Sequence, residues 1–366
     1  LALVLFGAAS TIRLKRLEFD SGIVGRMLAI GLPLTIAIGT VLALGLFPGT
    51  TFGLALLIGA TLAPTDADLG QQVITDTSVP ARVRRILNVE SGLNDGIVAP
   101  LITVAIALAI FGDVDGLRPF WDAIRELAVA AVTGILIGGV GRWLLIRADL
   151  RKAASASSRQ LATLALALGA FFIATGLEAS GFIAAFAAGL TFGMGNKEHV
   201  ESAVRFTEAQ GTLLSILVWL VFGLLVVHEH VVELSDPSVV LYAVLSLTVV
   251  RMVPVALALA GAGVDRVSIL FMGWFGPRGL ASVVFVLLGI EALEQAGVPS
   301  DPLGSVVAWT VVLSVILHGF SATPLAKWYG RYADGLPDGA AERLGEQEPR
   351  RTAWQMHMHD HPRSGA

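Results

Sequence analysis

The sequence contains no cysteine, so disulfides, thiolate metal sites and cysteine nucleophiles are all excluded. Charge is scarce as well. Asp, Glu, Lys and Arg make up 15% of the 366 residues, against about 25% in an ordinary soluble domain. The short apolar-polar alternation that a membrane β-barrel needs is also missing, because the apolar runs are long and continuous. The net charge of −4 is too small to point to nucleic acid as a partner. What remains is apolar: 55% hydrophobic residues and a mean hydropathy of +0.75. No water-soluble fold hides that much apolar surface. The composition therefore describes an all-α polytopic membrane protein whose solvent is the lipid bilayer.

A span needs roughly 20 apolar residues. The runs predict eleven spans, near 1–12, 25–46, 51–76, 84–111, 121–146, 160–177, 180–195, 209–228, 238–260, 267–290 and 303–325. The seventh is short and the third is interrupted. The chain opens on Leu1 rather than Met, inside an apolar run, and reads as N-terminally incomplete. Residues 1–326 read as one transmembrane domain and 327–366 as a polar tail.

The loops alternate in charge. One set carries Arg13, Lys15, Arg16, Arg82, Arg84, Arg85, Arg142, Arg147, Arg151, Lys152, Lys197, Arg266 and Lys327. The other has Arg118 as its single basic residue, among Asp113, Asp115, Glu229, Glu233, Asp236, Glu291, Glu294 and Asp301. Basic loops stay in the cytoplasm. The chain therefore starts outside, crosses the cell membrane an odd number of times and ends with a cytoplasmic tail.

A few ionisable groups fall within spans, where they are costly and usually functional: Asp66, Glu90, Asp95, Arg251, Arg278 and His318. Pro64 precedes Asp66 and removes a backbone donor, so the third span should break near mid-membrane. A simple proline kink is the plainer reading, and the carboxylate beside the break argues against it. Asp68 is the weaker neighbour. In Glu90-Ser91-Gly92-Leu93-Asn94-Asp95 the hydroxyl, amide and carboxylate of positions 91, 94 and 95 share a helical face. Those oxygens suit a small hard cation. Polar glue between helices would account for Ser or Asn alone, but not for two carboxylates. Buried carboxylates and arginines should pair, and Glu90 is the expected partner of Arg251 or Arg278. That leaves Asp95 outside the pair. Gly276-Pro277-Arg278-Gly279 marks a second interrupted span. One interruption in each half of the chain is the sequence pointer to a transport site between inverted repeats.

Through Ala63-Pro64-Thr65-Asp66, the stretch from Val79 to Pro100 with its Glu90-Ser91 and Asn94-Asp95, the Arg251 segment, Gly276–Gly279 and His318-Gly319, the chain resembles the NhaP-type sodium/proton antiporters. These are the Asn-Asp branch of the monovalent cation/proton antiporters. The resemblance implies an inverted-repeat fold of thirteen spans, with a dimerisation domain and a six-helix core that holds two crossed broken helices. The eleven spans here correspond to the third to thirteenth. It implies Asp95 as the carboxylate that binds Na+ or H+, with Asn94 as its motif partner. Asp66, Ser91 and the Thr65 carbonyl help to hold the ion. Arg251 becomes the partner of Glu90, and Arg278 a second core arginine. The implied protein is a homodimeric secondary transporter, not an enzyme, with no cofactor beyond its transported ions.

Two other classes compete. An intramembrane hydrolase needs a metal or serine constellation at depth; His228-Glu229-His230 lacks the one-turn spacing for a metal and falls in an outer loop. A passive cation channel would conduct without coupling to protons. His318 reads as a packed, hydrogen-bonded histidine. His357, His359 and His361 in the tail read as part of a disordered polar segment.

Overall fold

A computed structural model of the chain describes residues 2–11, 22–67, 69–112, 118–151, 155–194, 197–228, 236–337 and 340–343. The helices are α1 (Ala2–Thr11), α2 (Gly22–Leu46), α3 (Phe52–Thr61), α4 (Gln71–Thr75), α5 (Ala81–Phe111), α6 (Arg118–Leu150), α7 (Ala156–Gly176) and α8 (Gly181–Gly193). Then follow α9 (Lys197–Val221, extended by a π-helical turn over Phe222–Val227), α10 (Pro237–Leu247), α11 (Val249–Leu259), α12 (Arg266–Trp274), α13 (Leu280–Gln295) and α14 (Leu303–Asp334). Among the described residues, seven helices are long and apolar enough to cross a membrane. Each coincides with a span read from the sequence. The remaining predicted spans are α1, the short α8 and the two interrupted ones.

Helix starts follow local chemistry. Thr51, Ser155, Asp236 and Asp265 each accept a backbone N–H from the first turn that follows, at 3.2, 3.1, 2.8 and 2.8 Å, which satisfies donors that helix geometry leaves free. Small residues then let the helices approach closely. A Cβ at Gly134 or Gly138 of α6 would lie 2.3 or 2.2 Å from a carbonyl oxygen of α8, so only glycine permits this contact. In a bilayer, where lipid is as apolar as leucine, such backbone proximity is what drives helix association.

The described helices sort into two groups. α1, α6, α7, α8 and α9 pack on one another and form a scaffold, while α2 to α5 and α10 to α14 form a core. α5, α13 and α14 carry most of the contact between the groups.

Two spans of the core are broken. α3 ends at Thr61 and α4 begins at Gln71; α12 ends at Trp274 and α13 begins at Leu280. The two breaks cross and supply each other's missing hydrogen bonds. Asp66 N donates to Pro277 O at 2.8 Å, Leu280 N donates to Asp66 Oδ2 at 2.7 Å, and Ser282 Oγ donates to Thr61 O at 2.7 Å. A carboxylate at the amino end of α13 also complements the helix dipole.

Beyond Lys327 the helix continues to Asp334, with Tyr329 and Ala333 buried. The chain then returns to the core. Glu342, 3% exposed, accepts Asp265 N at 2.8 Å, and Arg82 Nη1 donates to Ala341 O. The starts of α5 and α12 are thereby tied together. Burial would raise the Asp265 carboxyl, but hydrogen bonds from Tyr332 Oη and Val267 N outweigh it and hold the group below its ordinary value. It therefore caps α12 as a carboxylate.

A Cβ at Gly279 would lie 1.9 Å from Asp66 Oδ2, so Gly279→Ala must displace the cap of α13. Overpacking of this kind costs about 1–3 kcal/mol. The variant should melt below the wild-type protein in detergent, whereas Gly223→Ala, which meets open space, should melt close to it.

Candidate functional site

The crossing brings the in-span residues together, and α5 distributes them by helical angle. Glu90 points to α11. Arg251 Nη1 and Nη2 meet Glu90 Oε1 and Oε2 at 2.6 and 2.8 Å, with the residues 3% and 2% exposed. The fork-to-fork geometry is what a buried ion pair requires. Gly276 makes room for it, since a Cβ there would lie 2.4 Å from Arg251 Nε.

Ser91 and Asn94 face the first break. Asn94 Nδ2 donates to Thr65 Oγ1 at 2.8 Å, and the Thr65 and Ser91 hydroxyls share a hydrogen bond of 2.9 Å. The Thr65 side chain thus pins α5 to the break, in addition to the carbonyl role implied by the resemblance. Asn94 is 1% exposed, and its Oδ1 has no hydrogen-bond partner among the described residues. A buried acceptor left in this state is costly.

Asp95, half-buried, opens on a cavity of about 420 Å³. Asn88, Ser91, Gly92 and Asp95 line it from α5, the i, i+3, i+4, i+7 pattern of one helical face. Asp66 and Leu280 line it from the crossing, and Glu208 and Thr212 from α9. The shared face is therefore shifted from the 91, 94, 95 set expected from the sequence: Asn88 joins it and Asn94 turns toward Thr65. Asp66 uses Oδ1 on Leu69 N at 3.1 Å and Oδ2 on Leu280 N at 2.7 Å.

Arg278 is fully buried beside this group, not in the Glu90 pair. Its backbone N donates to Ser314 Oγ at 2.7 Å and its Nη1 to Gly276 O at 2.8 Å, while Nε and Nη2 have no hydrogen-bond partner among the described residues. His318 packs as the sequence suggests. Its Nδ1 lies 2.9 Å from Ser314 O and its Nε2 2.8 Å from Trp274 O, with the ring stacked on Trp274. Asp68, Glu229, His230 and the tail histidines His357, His359 and His361 lie outside the described residues. Sequence reasoning missed Glu208. It sits just before the apolar run 209–228, where an acidic residue reads as a loop flank.

A family model described as "Sodium/hydrogen exchanger, transmembrane" matches residues 1–328. The chain is 28% identical over 278 residues to the K+/H+ antiporter NhaP of Alkalimonas amylolytica, covering 75% of this chain and 46% of that protein. It thus spans about half the length of that relative. A Na+/H+ antiporter of Schizosaccharomyces pombe is 25% identical over 315 residues, 78% of this chain and 67% of its own length. In three dimensions the chain is similar to the sodium proton antiporter MjNhaP1 from Methanocaldococcus jannaschii at pH 8. The TM-score is 0.69 at 23% identity, over 92% of this chain and 83% of the other. That likeness shows an antiporter fold.

Removing one partner of a buried ion pair leaves an uncompensated charge and costs about 3–5 kcal/mol. Glu90→Gln and Arg251→Met should each lower the melting temperature strongly. The double variant should be less destabilised than the sum of the two, and strict additivity in the cycle would show that the contact carries no coupling.

Proposed function

The chain belongs to the sodium/hydrogen exchanger family, and from that premise we propose that it is a secondary active antiporter. It exchanges Na+, or Li+ or K+, for H+ by competition for Asp95. The reading is carried by one observation: an ionisable Asp95 opens on a cavity at the crossing of two broken helices, on the helix whose other carboxylate, Glu90, is held by Arg251.

The division of labour follows from electrostatics. Glu90 is already neutralised by a guanidinium, so it has little to gain from a passing ion. Asp95 is half-buried and faces the cavity, where a proton or a cation can reach it, and either one neutralises it. Each ligand satisfies the same charge, so one displaces the other. Ser91 Oγ, Asp66, the Thr65 carbonyl and the buried Asn94 Oδ1 supply further oxygens of the kind that can stand in for the water of a small hard cation. Only a neutralised site crosses the low-dielectric barrier, which couples the two flows. The core then rocks against the scaffold, as in transporters built from inverted repeats. The cycle needs no cofactor.

In the fuller reading the protein is a homodimer in the cell membrane, with its tail in the cytoplasm. The distribution of basic loops supports that orientation. Because the chain has no cysteine, it can be tested directly. In whole cells a membrane-impermeant maleimide should label Glu294→Cys but not Arg151→Cys; the reverse pattern would invert the topology.

For function, the purified protein in sealed vesicles should drive proton flux when a Na+ gradient is imposed. Asp95→Asn should reduce that flux to background. Full exchange in Asp95→Asn would overturn the assignment. Sodium leakage with no proton movement in the unaltered protein would identify a passive channel instead.

A further inference from the structure

We propose that Glu208 is a second carboxylate of the ion path, one that captures the cation at the cavity mouth and passes it to Asp95. This rests on Asp95 being the exchange carboxylate and adds a residue on the opposite wall. Glu208 belongs to α9 of the scaffold, whereas Asp95 belongs to α5 of the core, and both line the same cavity of about 420 Å³.

The position of Glu208 is built by its neighbours. α1 faces it with Gly7, and a Cβ at Gly7 would lie 3.1 Å from Glu208 Cγ and 3.9 Å from Oε1. The missing side chain gives the Glu208 stem room to lie along α1 with the carboxylate at the cavity. One turn further on, Thr212 lines the cavity too, and its Oγ1 donates to Glu208 O at 3.1 Å.

Exposure falls along the path: Glu208 is exposed, Asp95 half-buried, and Ser91 and Asn94 buried. A cation moving inward meets the exposed Glu208 first and sheds its water in steps. Negative charge on two facing walls of a low-dielectric cleft focuses the field and raises the local cation concentration. Since the two carboxylates sit on different helix groups, rocking of the core separates them. Glu208 therefore acts on capture from this side and has no part in carrying the ion across.

The test is Na+-dependent proton exchange by the whole chain in vesicles, with apparent KM and maximal rate measured at low and high choline chloride. Glu208→Gln should raise KM by about 3- to 10-fold with the maximal rate retained, and the difference should shrink at high ionic strength, where charge is screened. Glu208→Asp should restore most of the affinity. Gly7→Ala should shift KM in the same direction by a smaller factor. An unchanged KM in Glu208→Gln, or a lost maximal rate with KM unchanged, would overturn the proposal. Asp95→Asn in parallel separates the two claims. If it still exchanges, the underlying reading fails; if it is silent while Glu208→Gln keeps the wild-type KM, only the role of Glu208 fails.

Discussion

The Asp66 carboxylate accepts the first free N–H of α13, that of Leu280, across the crossing of two broken helices, and the rest of the site depends on this contact. A bilayer offers no water to a broken helix, so every freed N–H and C=O must find a partner within the protein. Here each break answers the other: Asp66 N to Pro277 O, Ser282 Oγ to Thr61 O, Leu280 N to Asp66 Oδ2. Irregular backbone, and with it a polar cavity, is thereby held in the membrane interior. Gly279 is the steric condition for this arrangement, because no side chain fits between it and Asp66.

Two carboxylates five residues apart on α5 have different fates because the helix turns them toward different neighbours. Glu90 meets Arg251 with both oxygens and closes a charge balance inside the core. Asp95 faces the cavity with Ser91 and Asn88. An ion pair that is satisfied is a structural element, and a carboxylate at a cavity is a place for exchange. The same chemical group is a fastener at Glu90 and, in the proposed function, the carrier at Asp95, and the difference lies in what stands opposite.

Much of the fold was legible from periodicity and composition, since long apolar runs have few alternatives in lipid. The two interruptions were legible from Pro64 and from Gly276-Pro277-Arg278-Gly279, whose backbones cannot continue a helix without cost. Four things were not legible. The partner of Asp66 is a backbone N–H more than 200 positions away, and no side-chain pattern announces it. The rotation of α5 depends on Thr65 bridging Ser91 and Asn94, so the cavity face could not be fixed from spacing alone. Glu208 depends on Gly7, a small residue that carries no signal until the facing helix is in place. The return of Ala341–Arg343 onto α5 and α12 was hidden for a related reason: a polar segment reads as solvated, yet Glu342 is buried by the backbone N–H it accepts.

The central claim is that one carboxylate, Asp95, holds either a proton or a cation. Equilibrium Na+ binding to the purified protein across a pH series tests it most directly. If the two ligands compete for a single site, the apparent Kd for Na+ should rise about tenfold for each unit fall in pH once the proton dominates, by linkage. Asp95→Asn should show no such binding. A Kd that stays constant while the pH falls would show that proton and cation occupy separate groups, and would contradict the account.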